Sequence, residues 1–348
     1  MKNSINRLII FSLFIASGFL SRAQSIDFGT FLEAGAADAE SLMESYLEPA
    51  FLGFGYGINS GWYNTAKPHK LLGFDITPTM TLAMVPSKGE FFTIDPNNYS
   101  NISLNPDSPT NRAPTLFGPN LPADQLPLLD YTSTDPTTGE ERTISITSPT
   151  GLGLKEVIPI NAVPSGMVQV GIGLIKNTEL KIRFIPKITE DEFEFGMFGI
   201  GFMHDLKQWV PGLKQIPFDV SGFAGWNNMN TSIFLDPENN PDQIASLKIS
   251  SVTMQGLISK ELSILTVFGG VGVATTTTKF DLKGTYETEV SEEAPTGEYT
   301  DPLDFKFIST GPRINLGFRL KLLVFTLQAD YAIQKYNTLT LGAGISIR

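Results

Sequence analysis

The 348 residues hold two imidazoles, His69 and His204, and no thiol. Without cysteine there is no disulfide, no thiolate metal site and no sulfur nucleophile. His204 is followed by Asp205, a pairing a hydrolase could use. No serine stands two strand positions away on the same face, so the pair reads as a strand end. His69 follows Pro68 and reads as a structural residue. The stretch Asp236-Pro237-Glu238-Asn239-Asn240-Pro241-Asp242 is rich in oxygen ligands but lacks EF-hand spacing. Gly269-Gly270-Val271-Gly272 has neither the helix nor the lysine that a nucleotide-binding loop needs after it. With 36 acids against 25 bases, the chain does not suit a phosphate backbone, and no nucleic-acid partner is expected. The sequence therefore predicts no enzyme, no catalytic residue, no metal site and no cofactor.

The remaining polar residues follow another rule. Asp75 and Thr77 alternate with Phe74 and Ile76. Glu179, Lys181 and Arg183 alternate with Leu180, Ile182 and Phe184. Arg313, Asn315 and Arg319 alternate with Ile314, Leu316 and Phe318, and Gln328 and Asp330 alternate with Leu327, Ala329 and Tyr331. A period of two places each set on one face of a strand. Ten strands are predicted, over 71–85, 166–175, 179–188, 193–205, 217–228, 247–260, 263–280, 303–320, 322–334 and 338–348. Most are longer than the five or six residues usual in globular sheets, and match the roughly 9–11 residues of tilted membrane strands. No stretch after the N-terminal 23 residues approaches the 18 apolar residues of a spanning helix. A chain crossing lipid must satisfy its backbone internally, so strands can cross only as a closed barrel. The expectation is an all-β antiparallel up-and-down barrel of about ten strands. Its outer face is apolar, and Asp75, Glu179, Lys181, Arg183, Arg313, Arg319 and Asp330 face the lumen. A lysine or arginine turned to lipid instead would cost about 2–4 kcal/mol at the midplane. Trp226, Phe305, Phe307, Tyr331 and Tyr336 fall near strand ends, as interfacial aromatics would.

The connections sort by length. Those above 15 residues, 86–165, 229–246 and 281–302, all occupy odd positions in the series and so open on one side of the sheet. Short turns on one side and long loops on the other are the pattern of outer-membrane barrels. An even strand number then puts both termini on the periplasmic side. Acids sort with the loops. Residues 86–164 hold nine acids and four bases, 229–246 three acids and no base, and 281–304 eight acids and one base. Twelve of the 23 prolines lie in 86–164, which reads as a punctuated external segment with an extra hairpin near Thr143 to Ile160. The acids would keep the loops soluble or bind divalent cations weakly at a lipopolysaccharide surface.

The N-terminus adds two pieces. Lys2, Arg7, the apolar run Leu8 to Leu20 and Ser21-Arg22-Ala23 form a signal peptide over 1–23. Residues 24–69 form a helical plug segment. Phe28, Phe31, Leu32, Leu42, Met43, Tyr46 and Leu47 recur at helical spacing over 27–47, with Asp27 at the start and Pro49 at the stop. Phe51 to Asn64 reads as a strand or a compact plug loop. The helix is expected at the periplasmic mouth, with 51–69 reaching inward and Trp62, Tyr63 and His69 as the plug residues. The barrel occupies 70–348.

Gly61-Trp62-Tyr63-Asn64-Thr65-Ala66-Lys67-Pro68-His69, after a signal peptide and one helix, resembles an uncharacterised family of outer-membrane β-barrels of Bacteroidota type. So does Gly199 to Leu206 with Trp209-Val210-Pro211-Gly212-Leu213. That family is distantly similar to fatty-acid-transporter-type barrels, in which an N-terminal segment plugs the lumen. The expectation is a channel or transporter for small solutes in the outer membrane, with hydrophobic solutes suggested only by analogy with those larger barrels. The alternative is a structural or surface-recognition barrel surrounded by lipid and lipopolysaccharide, with acidic loops and no transport. The two differ in whether the lumen is filled.

Overall fold

A computed structural model describes residues 36–134, 141–157, 160–190, 193–288 and 297–347. The signal peptide and residues 27–35 of the expected helix lie outside these. Ten strands close into one antiparallel ring. They are β1 (Phe74–Met84), β2 (Ala162–Leu174), β3 (Thr178–Glu190), β4 (Phe193–Asp205), β5 (Asp219–Asp236), β6 (Asn240–Leu262), β7 (Leu265–Lys283), β8 (Leu303–Leu322), β9 (Phe325–Ile333) and β10 (Thr338–Ile347). Each strand pairs with its neighbours in sequence, and β1 closes the ring on β10, with Phe74 opposite Ile347 and Leu82 opposite Leu339. No residue is left on a free sheet edge in such a ring, which removes the usual route to edge-to-edge aggregation.

The two ends of the ring differ. At one end the links are short, and Ser263-Ile264 and Leu323-Val324 each turn the chain in two residues. Ser263 and Leu323 take positive φ values of 59° and 58°, the backbone that two-residue hairpins demand. At the other end the described residues of the connection from β1 to β2, 85–134 and 141–157, fold into a cap. Phe91–Thr93 pairs with Arg112–Pro114, and Ile102–Leu104, Leu128–Thr134 and Glu141–Thr147 form a three-stranded sheet. The extra hairpin expected near Thr143 to Ile160 is instead this sheet, which ends at Thr147. Residues 229–246, read as a long loop, are mostly strand. β5 and β6 run past the ring to Asp236 and Asn240, and Thr231 pairs with Leu247 there. The stretch 281–302 likewise carries a short ladder, Thr285–Thr288 against Gly297–Thr300.

The largest correction concerns the helix. It is α1, Ala36–Ile58, with Pro49 inside it. It does not sit at the short-turn mouth. It lies within the ring at the long-loop end, where its first turn meets the cap: the Asp38 carboxylate accepts the Ser100 and Asn101 backbone N–H groups at 2.9 and 2.7 Å. Residues 52–58 alternate between large side chains and glycine, so they read as a strand or a compact plug loop, but they are the second half of this helix. Over Ala50 to Ile58 the helix is buried on nearly every side and needs no polar face, and the glycines are where wall and helix meet most closely. Pro49 removes the donor for the Ser45 carbonyl but does not end the helix, because α1 packs on the cap and wall along its whole length. Its core partners include Ile94, Ile102, Phe117, Leu129, Leu154 and Val163. The first described residue, Ala36, therefore lies at the end opposite Ile347. Ten strands put Phe74 and Ile347 together, but the segment before Phe74 crosses the ring once more.

Candidate functional site

The lumen is the site, and residues 36–70 occupy it. α1 fills the half near the cap. Phe51 meets Phe280, Phe305 and Phe307 at ring-centroid distances of 5.4, 6.0 and 6.0 Å. Tyr56 stacks on Tyr336, and its hydroxyl lies 2.8 Å from Ser309 Oγ. Phe305, Phe307 and Tyr336 are thus buried against the helix rather than in an outer girdle, whereas Trp226 and Tyr331 do face outward. At the top of α1 the Tyr46 hydroxyl donates to the Thr150 carbonyl at 2.9 Å, and burial pushes its phenol up to about 12. Partial burial, reinforced by neighbouring carboxylates, raises the Glu40 and Glu44 carboxyls above their usual range.

Close approach of α1 to the wall sets a test. A Cβ added at Gly55 would stand 2.0 Å from Thr276 Oγ1. Gly55→Val is expected to loosen α1 by about 1–3 kcal/mol, the usual cost of overpacking. Limited proteolysis in detergent should then cut α1 faster than in the parent. Gly311→Ala, whose new methyl meets nothing within 4 Å, should leave the rate unchanged.

Beyond Ile58 the chain is extended, and its peptide groups have no ladder partners. Wall side chains supply them. Arg183, fully buried, donates from Nη1 to the Ile58 carbonyl and from Nη2 to the Ser60 carbonyl, both at 2.7 Å. Its Nε donates to Gln169 Oε1 at 3.1 Å, and its guanidinium lies 3.6 Å from the centroid of the Trp62 ring. Gln169 Nε2 donates to the Trp62 carbonyl, and Asn227 Nδ2 to the Ile58 carbonyl. Arg313 Nη1 reaches Ser60 Oγ at 2.9 Å. The Tyr63 hydroxyl sits 2.7 Å from Asn315 Oδ1 and 2.9 Å from Gln255 Oε1, and Asn315 Nδ2 donates to Asp330 Oδ1 at 2.7 Å. Arg319 Nη1 donates to Asn64 Oδ1 at 3.1 Å. Below this layer Trp62, Tyr63 and Ala66 pack on Met203, Phe223, Leu257 and Phe268.

At the short-turn end the His69 backbone N–H donates to Glu179 Oε2 at 2.9 Å. Lys181 bonds Glu179 Oε1 and lies 3.9 Å from Asp75 Oδ1. Asp75, Glu179, Lys181, Arg183, Arg313, Arg319 and Asp330 are each at most 8% exposed and lie inside the ring. They fall into four groups: Arg183 with Trp62, Arg313 and Asp330 near Tyr63, Arg319 with Asn64, and Asp75, Glu179 and Lys181 beside His69. Sequence reading missed Gln169, Asn227 and Ser60, which hold the segment. Their signal was present in the alternation of β2 and β5, but an uncharged polar residue at an inward position looks the same whether it faces water or a peptide group.

Residues 58–69 thus run through the ring with wall side chains bonded to them. No curated protein matches the sequence. Solved structures similar to it include Ail, the attachment invasion locus protein of Yersinia pestis, at 10% identity over 80% of this chain and 99% of that one, with a TM-score of 0.27. The translocator domain of the autotransporter NalP from Neisseria meningitidis is similar at 8% identity over 80% and 90%, with a TM-score of 0.28. The outer membrane protein opdK from Pseudomonas aeruginosa is similar at 8% identity over 79% and 98%, with a TM-score of 0.13. The profile of a family of unknown function, DUF6588, matches residues 1–347, and the chain belongs to that family.

Proposed function

We propose that this protein is an outer-membrane β-barrel closed by its own N-terminal segment, which presents the folded acidic cap at the cell surface for recognition. The observation that carries this reading is the passage of residues 36–70 through the whole ring, bonded to wall side chains at each level. The membrane part rests on the outer face. Leu316, Val271, Phe325, Ile314 and Phe318 are among many large apolar residues there with 46–67% exposure. A belt of that kind is far larger than the few hundred Å² that soluble monomers expose. Among the described residues no helix is long and apolar enough to cross a membrane, and the strands would do so. Lipid and lipopolysaccharide surround the belt, and the acidic loops hold divalent cations weakly and without a defined ligand set.

A second reading, a channel for small solutes, is favoured by one observation: seven charged side chains lie inside the ring, where water would solvate them once the segment left. Transport then depends on displacement of residues 36–64.

The cysteine-free sequence makes the orientation directly testable. Ala37, Asp124 and Lys67 are exposed, the first two at the cap end and the third at the short-turn end. Single variants Ala37→Cys and Asp124→Cys should react with a membrane-impermeant maleimide on intact cells. Lys67→Cys should react only after the outer membrane is permeabilised. The reverse pattern would invert the barrel, and recovery of the protein in the soluble periplasm without detergent would remove it from the membrane.

A further inference from the structure

Three side chains from distant parts of the sequence converge where the plug segment joins the barrel. His69 ends the segment, Asp75 is the second residue of β1, and Glu179 is the second residue of β3. One ligand atom of each lies within 4.8 Å of the other two. His69 Nδ1 is 3.1 Å from Glu179 Oε2 and 3.8 Å from Asp75 Oδ1. We propose that His69, Asp75 and Glu179 bind a divalent transition metal that fastens the N-terminal segment to the wall.

Four observations support the site. Asp75, 3% exposed, has Oδ1 buried with no hydrogen-bond partner, while Oδ2 accepts the Thr77 hydroxyl. Buried carboxylate oxygens are rarely left so, and this one is aimed at the His69 ring. His69 Nδ1 is also buried and without a hydrogen-bond partner. Its Nε2 lies 3.2 Å from Ser346 Oγ. An N–H donated from Nε2 to that hydroxyl leaves Nδ1 as a bare lone pair, the form in which histidine ligates metals. Finally, the wall is cut back here. A Cβ on Gly171 would stand 2.1 Å from Asp75 Oδ1 and 2.7 Å from Glu179 Oε1, so only glycine leaves the carboxylates their place.

The spacing suits the ion. Zinc bonds to imidazole nitrogen and carboxylate oxygen are about 2.0–2.2 Å, which puts ligand atoms roughly 3.4 Å apart in a tetrahedral shell. One nitrogen and two oxygens with an open fourth position is a donor set for zinc and its first-row neighbours rather than for calcium or magnesium. Lys181 is the competitor. It already bonds Glu179 Oε1, but Oε2 faces His69, and the metal needs Asp75 Oδ1, from which the ammonium stands 3.9 Å away. The ion supplies twice the charge and direct bonds at that point. The site goes beyond the closure reading and does not depend on it, because it is a property of the folded chain in any setting.

The test is calorimetric titration of the full mature chain, purified in detergent and stripped with chelator, with zinc chloride. One zinc per chain is expected, with binding lost in His69→Ala and in Glu179→Gln. Ser346→Ala, which removes the partner of Nε2 and the acceptor of the Lys321 ammonium but no metal ligand, should bind about tenfold more weakly, at the low end of what such outer partners contribute. It carries the test should the ligand variants fail to fold. Lys181→Met should bind at least as tightly as the parent. Zinc binding by Lys181→Met alone would overturn the proposal, because Lys181 is then the resident cation. So would binding that survives His69→Ala, which would place the metal in the acidic loops, or the absence of binding in every variant.

Discussion

Deleting residues 25–64 is expected to turn a non-conducting barrel into a conducting one. In planar bilayers the parent should show no steady current, because α1 and residues 59–64 occupy the ring from the cap to the Trp62 layer. The deletion removes the Phe51, Tyr56, Trp62 and Tyr63 rings from the lumen. It also removes the backbone carbonyls that Arg183 binds and the partners of Asn227, Gln169 and Arg319. Left dry, those wall groups would cost several kcal/mol each. Water entering the emptied ring satisfies them, so the wall itself should stay folded, and heat-modifiable gel mobility should be kept. A ten-stranded ring is wider than the eight-stranded rings that side chains alone can fill, which leaves room for a wet path. The emptied lumen carries Lys181, Arg183, Arg313 and Arg319 against Asp75, Glu179 and Asp330, so selectivity between anions and cations should be weak. A folded deletion variant that conducts no better than the parent would show that wall side chains close the ring unaided, and the channel reading would then have no path. A parent that conducts would overturn the closure reading itself.

Much of the wall was legible because a strand exposes its environment every second residue. In β3, Glu179, Lys181 and Arg183 alternate with Leu180, Ile182 and Phe184, and that alone assigns both faces. The existence of two tight turns was legible from the shortness of the gaps, though the sequence put them at 261–262 and 321 and they lie two residues later, after Leu262 and Leu322. The lumen contents were harder to read. Leu52, Phe54, Tyr56 and Ile58 have the period of a strand, yet they lie on a helix whose glycines touch Val163, Thr276 and Ser165 in the wall. The first half of α1 keeps a partly exposed stripe of Glu40, Glu44 and Glu48. From Ala50 to Ile58 the helix is packed on nearly every side and has none, and the stripe is the signal by which a helix is read. The mouth through which the segment enters was not legible either. It depends on Asp38 meeting Ser100 and Asn101, 62 and 63 residues away. Convergence of His69, Asp75 and Glu179 was hidden for the same reason. Periodicity puts Asp75 and Glu179 on inward faces, but their approach depends on β1, β2 and β3 pairing so that Asp75 lies opposite Gly171, two residues before Gly173, the partner of Glu179.

Arg183 is the residue on which closure should depend most, and the choice of replacement decides why. Its guanidinium spreads three donors over the Ile58 carbonyl, the Ser60 carbonyl and Gln169 Oε1, and its flat face covers Trp62. Hydrogen bonds from a charged donor contribute about 1.5–3 kcal/mol each, and a desolvated cation over an aromatic ring about 2 kcal/mol. Burying the charge costs several kcal/mol in return. Arg183→Met loses the bonds but also that cost, and Ile58 keeps Asn227 as a donor at 3.1 Å. A net loss of roughly 2–4 kcal/mol in the hold on the segment is expected, which is about a 30- to 700-fold rise in the time it spends displaced. Arg183→Lys keeps the charge but has no fork to span two carbonyls, so the ammonium stays buried with fewer acceptors. It should be no better than methionine and is expected to be worse. Both variants should retain the wall, and both should show brief current steps in bilayers where the parent shows none. If lysine restores the quiet state and methionine does not, charge alone holds the segment and the forked geometry is incidental. If neither variant conducts, the Tyr63 and Phe51 layers hold the segment without Arg183, and its burial serves the wall instead.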